Sequence, residues 1–173
     1  MNKIIIMMIM ALFGCKTADV PLETVDYVDL ERYTGKWYSI ASFPTSFEKG
    51  CSCTAAEYKA TDKSYIRVIN SCFKADKNQH SVANGKAFVV KNTNNTKLKV
   101  QFFWPFRGDY WIIGLADDYS WAVVGHPKRN YLWILSRVVD MQAADYEKAV
   151  DIARSKAFDV SRLQKIVHEC DGR

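Results

Sequence analysis

The chain has 173 residues, the size of one domain, and is 49% hydrophobic and 25% charged, which excludes a disordered chain and supports a packed core. Its formal charge of +5 is mild and spread along the chain, which argues against nucleic acid as a partner. Aromatic residues reach 13%, enough both to fill a core and to line a pocket for an apolar ligand.

The first residues differ from the rest. Lys3 precedes an unbroken apolar run from Ile4 to Phe13, too short to span a bilayer as a helix. The pattern predicts a signal peptide over residues 1–14. Leu12-Phe13-Gly14-Cys15 resembles the lipobox of bacterial lipoproteins, which implies acylation of Cys15 after cleavage in front of it. Two or more acyl chains hold a protein stably on a membrane where one does not. Lys16 would then be the second mature residue, which in that family favours the outer membrane of a Gram-negative bacterium.

Residues 15–27 are expected to form a lipidated, extended linker, and 28–173 a single domain. Asp29 to Tyr33 suggests one helical turn before Gly35. Short strand-like runs follow: Trp37 to Phe43, Thr54 to Ala60, Tyr65 to Asn70, and Val82 to Val90 with Gly85 as a bend or bulge. Asn92 to Thr96 is a polar turn, and its Asn94-Asn95-Thr96 sequon reads as turn chemistry. From Lys97 to Phe102 polar and apolar residues alternate strictly, which points Leu98, Val100 and Phe102 inward. Tyr110 to Ala116, Trp121 to Gly125 and Tyr131 to Arg137 are apolar on both faces and need outside cover. A helix from Gln142 to Ala157, with Tyr146, Ala149, Val150, Ala153 and Ala157 on one face, supplies it. Should it leave Trp111, Ile113 and Leu115 bare, they would form a partner patch, and a homodimer is then expected. A short strand near Gln164–His168 ends the domain. Eight strands joined by hairpin-length links predict an all-β fold, an antiparallel up-and-down β-barrel with the helix packed outside, able to hold one small ligand.

With Cys15 lipidated, Cys51, Cys53, Cys72 and Cys170 remain, an even number that reads as two disulfides in an oxidising compartment. Three pairings are open. A hairpin near Thr61-Asp62-Lys63 brings Cys72 opposite Cys51 or Cys53, and Cys51–Cys72 with Cys53–Cys170 is the preferred assignment. The scattered His80, His126 and His168 do not support a metal site, and no cofactor is implied.

Gly35-Lys36-Trp37-Tyr38 resembles the G-x-W signature of lipocalins. Asp118-Tyr119 with Ala122-Val123-Val124-Gly125, and Tyr131-Leu132-Trp133-Ile134-Leu135-Ser136-Arg137, resemble their second and third conserved regions, in the same order. The bacterial outer-membrane lipocalins and apolipoprotein D form the most similar branch. The resemblance implies that Trp37 closes one end of the barrel with Arg137 stacked on its ring, and that Tyr58 and Trp133 line the pocket. Residues expected at a ligand are therefore Tyr58, Leu98, Val100, Phe102, Tyr110, Trp133 and Leu135. Loops at the open end carry a net charge of +3, and Arg107, Lys128 and Arg129 are expected to form a basic rim for an anionic head group. A fatty acid or lysophospholipid fits that description. Trp104-Pro105-Phe106 is expected to form an apolar lip at the mouth, or to dip into a bilayer. Two other readings are open: a structural or protein-binding lipoprotein with a filled barrel, and a lipocalin-type enzyme. No Ser-His-Asp or paired-carboxylate arrangement is legible, so no catalytic residue is assigned.

Overall fold

The computed structural model describes residues 20–170; the expected signal peptide over residues 1–14, Cys15 and Lys16 lie outside the described residues. A short helix, α1 (Leu30–Tyr33), leads into β1 (Gly35–Ser42), β2 (Cys51–Lys59), β3 (Ile66–Lys74), β4 (Gln79–Val89), β5 (Lys97–Gln101), β6 (Gly108–Leu115), β7 (Trp121–Gly125) and β8 (Leu132–Ser136). Helix α2 (Ala143–Ser155) and the two-residue strand β9 (Gln164–Lys165) follow. From β1 to β8 each strand pairs antiparallel with the next, and β8 pairs with β1, so the sheet closes on itself; β9 adds to β1. Closure leaves the barrel without a sheet edge for another chain to extend.

The seam at β1 has two parts. Gly35–Tyr38 pairs with β2, whereas Tyr38–Ser42 pairs with β8 across a bulge. Where β1 and β2 part toward the open end, the C-terminal segment bridges them. The Ile166 N–H donates to the Ile40 carbonyl (2.9 Å), and the Cys53 N–H donates to the Val167 carbonyl (2.7 Å). Cys53 is bonded to Cys170, fastening that bridge across 117 residues of sequence, and Cys51 is bonded to Cys72 across 21. In the chain-entropy model the longer loop contributes about 5 kcal/mol and the shorter about 3.

Apolar residues form two clusters, one on each side of the sheet. Outside, Phe43, Ile113, Trp121, Val123, Leu132 and Ile134 meet Ala149, Val150 and Ala153 of α2 and Phe158 behind it. Gly125 makes this approach feasible: a Cβ there would stand 2.5 Å from the Phe158 ring. Ile113 is thereby buried and Trp111 packs at the edge of the cluster. A bulge between Ile112 and Gly114 reverses the alternation, so Leu115 joins the inner cluster. The outward patch of Trp111, Ile113 and Leu115 is therefore not left bare, which removes the basis for expecting a homodimer there. Gly85 is not a bulge: it keeps register with Val68 within an unbroken β3–β4 ladder. Its missing side chain makes room for Phe102, whose ring would lie 2.8 Å from a Cβ.

Candidate functional site: the barrel interior

One end of the barrel is sealed. Asp29 caps α1 by accepting from the Glu31 and Arg32 N–H groups, and the α1 turn buries Tyr33. The Trp37 indole N–H donates to the Tyr33 carbonyl (2.8 Å). The Arg137 guanidinium lies 3.7 Å from the Trp37 ring centroid and donates to the carbonyls of Tyr119, Lys36 and Arg32. A stacked, hydrogen-bonded guanidinium of this kind is a structural latch. The described start of the chain straps the same end: Asn94 and Asn95, both at positive φ, donate side-chain amides to the carbonyls of Asp26 and Val28.

Above the seal, Val68, Ala87, Leu98, Ile112, Ala122 and Val124 pack solidly with Trp37. Higher still, the interior opens into a cavity of about 570 Å³. Tyr58, Val100, Phe102, Tyr110, Trp133 and Leu135 line it; Leu98 does not, because its level belongs to the packed floor. The two walls differ in chemistry. Val100, Phe102, Trp133 and Leu135 supply apolar surface on the β5–β8 side, with Asp109 and His126 also bordering it, while Ser39, Thr54, Asn70 and Ser81 stand on the β1–β4 side.

Tyr58 and Tyr110 form the floor of the cavity, with the buried Tyr33 phenol behind them. Tyr58 donates to the Tyr110 hydroxyl (3.0 Å), which is also bonded to that of Tyr33 (2.8 Å). Burial pushes all three above their ordinary values, Tyr58 to about 12, so they stay protonated. Three O–H protons and two bonds leave one proton, on Tyr33 or Tyr110, without an acceptor among the described residues.

At the mouth, the Glu48 carboxylate accepts from the Trp133 indole N–H (3.2 Å) and the Thr45 hydroxyl (3.0 Å). Burial raises its pKa, and these two bonds oppose the rise. Asp109 behaves in the opposite way. Its burial works to raise the pKa, but Lys99 at 2.7 Å, the Trp111 indole and His126 outweigh it and hold the carboxyl below the usual range. Burial, with Lys128 and Lys99 nearby, lowers His126 against the pull of Asp109.

The expected basic rim is not assembled at the cavity. Arg129 donates to the carbonyls of Lys156 (2.7 Å) and Val20 (2.7 Å), tying the 126–131 loop to the end of α2 and to the N-terminal segment. Arg107 stacks on Phe88, 4.0 Å from its ring centroid and away from the lining, and Lys128 is exposed. Among the described residues the lysine or arginine that lines the cavity is Lys74. Sequence reasoning also passed over Ser39, Asn70, Glu48 and Tyr33. Ser39 is legible as two residues beyond Trp37 on the same strand. Glu48 lies in a loop without periodicity and carries no such signal. The apolar lip is present: Phe103, Trp104 and Phe106 are each at least 77% exposed, and Phe103 also borders the cavity.

The Lipocalin-like domain model matches residues 28–168. The chain is 35% identical to the outer membrane lipoprotein Blc of Vibrio cholerae over 151 residues, covering 87% of this chain and 88% of that one. It is 37% identical to Blc of Escherichia coli over 152 residues, covering 87% and 86%. Apolipoprotein D of Macaca fascicularis is 31% identical over 144 residues, covering 78% and 74%. Among solved structures, insecticyanin of the tobacco hornworm aligns with a TM-score of 0.69 at 22% identity, covering 84% of this chain and 83% of that one. The closed barrel, the external helix and these similarities together show that the chain belongs to the lipocalin family.

Proposed function

We propose that this protein is a membrane-anchored lipocalin that binds a single-chain lipid, a fatty acid or lysophospholipid, inside its barrel rather than acting as an enzyme. The 570 Å³ cavity carries this reading, since it falls within the range of about 300–1,000 Å³ typical of small-molecule sites. A filled barrel, the structural alternative, has no use for such a volume. The acyl chain lies against Val100, Phe102, Trp133 and Leu135, with Tyr58 and Tyr110 beneath it. Lys74 is the lining cation best placed for an anionic head group. Arg107 and Lys128 contribute only at a distance, and Arg129 is committed to backbone carbonyls.

Anchoring rests on Cys15 and on the similarity to Blc, an outer membrane lipoprotein in Vibrio cholerae and Escherichia coli. The outer membrane of a Gram-negative bacterium is the proposed location. Native mass spectrometry of the delipidated protein against a panel of lipids tests the cavity; one lipid per chain is expected, and no adduct with any lipid would refute the carrier role. Cys15→Ser tests the anchor, and is expected to move the protein from the membrane to the soluble fraction.

A further inference from the structure

The β1–β4 wall of the cavity carries polar atoms that the fold does not use. Among the described residues, Ser39 Oγ, Thr54 Oγ1 and Asn70 Oδ1 are buried without a hydrogen-bond partner. Ser39 is 3% exposed and Thr54 8%. All three residues line the cavity. The strand register sets them beside one another. Tyr38 pairs with Ala55, so Ser39 and Thr54 are the next residues along the diverging β1 and β2. Ala56 pairs with Asn70, and Thr54 is two residues from Ala56 on the same face of β2.

A buried polar atom without a partner costs about 1–3 kcal/mol, and a fold has no reason of its own to gather three on one wall. An apolar skeleton such as a bare acyl chain would leave all three unsatisfied. A carboxylate answers hydroxyl donors but offers none in return, and Lys74, the cation lining the cavity, stands four residues beyond Asn70 on β3, too far to offset its lost hydration at these three residues. A hydroxyl-bearing neutral group both donates and accepts, which suits two hydroxyls and an amide.

We infer that Ser39, Thr54 and Asn70 form a specificity strip inside the barrel that selects amphiphiles carrying an uncharged, hydroxyl-bearing polar group, such as a glycerol ester, over free carboxylates and hydroxyl-less esters. The inference rests on the lipid-binding reading of the cavity, narrows it from fatty acids toward hydroxyl-bearing lipids such as a lysophospholipid, and adds where the polar part of the ligand sits. It lies within the barrel, on the β1–β4 wall, with the apolar chain against the opposite wall.

Three probes of equal chain length separate the cases: 1-monolauroylglycerol, methyl laurate and lauric acid, with affinities measured by calorimetry. The wild type is expected to bind the glycerol ester at least tenfold more tightly than either of the others. Ser39→Ala, Thr54→Val and Asn70→Leu combined should abolish that preference while leaving methyl laurate bound as well as before or better. The same variant should unfold at an equal or higher temperature without ligand, a direction opposite to that of lost structural contacts. Equal affinities in the wild type, tighter binding of lauric acid, or a preference that survives in the variant would each overturn the strip and leave the lipid-binding cavity standing. Absence of binding by every lipid would remove both. The wild-type comparison decides the matter even if the triple variant does not fold.

Discussion

The two halves of the barrel interior use the same eight strands and the same inward alternation, yet one is solid and the other hollow. At the sealed end Trp37, Leu98, Ile112 and Val124 meet across the axis above the α1 turn. At the open end the inward positions on β1–β4 are Ser39, Thr54, Asn70, Ser81 and Ala83, which are too small to meet across it. The void thus arises from side-chain volume on one wall and not from a change of fold. The seal can carry stability while the mouth is free to vary with the ligand.

The largest effect is expected where the seal is broken. Trp37→Ala removes a fully buried indole and the platform for Arg137, and should cost about 3–5 kcal/mol in urea unfolding. A matched pair of insertions sharpens the contrast on one strand. Ala87→Phe forces a ring into the packed floor and should cost about 1–3 kcal/mol. Ala83→Phe, four residues earlier on β4, projects into the cavity and should change stability by less than about 0.5 kcal/mol. It should nevertheless lower lipid affinity at least tenfold. If both variants destabilise equally, the division into floor and cavity is wrong.

Smaller effects concern the mouth. Trp104→Ser with Phe106→Ser removes two exposed rings and should leave stability within about 0.5 kcal/mol. Sedimentation with vesicles of phosphatidylethanolamine and phosphatidylglycerol should show reduced association of the unacylated double variant if the lip meets a bilayer. The smallest effect is a pH dependence. Glu48 has a raised folded pKa, so the native state holds that proton more tightly than the unfolded chain. Its burial penalty is present in full above the folded pKa. It is relieved as pH falls through that value toward the ordinary carboxylate range. Wild type should therefore gain stability relative to Glu48→Gln on acidification across that window, as read by urea unfolding at a series of pH values.

Much of the fold was legible because period-two alternation reports which face of a strand is buried. Lys97 to Phe102 displays it plainly, and β7 occupies the predicted Trp121 to Gly125 span. The edges were less legible. β2 begins at Cys51, before the expected Thr54, because Cys53 at positive φ sits in a bulge that carries the pairing on. β3 runs on to Lys74 because β4 offers partners as far as Gln79. Arg129 looked like a rim cation because loop position says nothing about which carbonyls a guanidinium will reach.

By itself the sequence determined the strand count, the helix and the signature residues, all of which follow from local pattern. Only the tertiary structure decided depth: that Leu98 belongs to the floor while Val100 and Phe102 face the void, that Leu115 turns inward, and that Ser39, Thr54 and Asn70 share a wall. Alternation gives a side chain its face. Its height along the barrel axis depends on strand stagger and bulges, which are properties of the closed sheet.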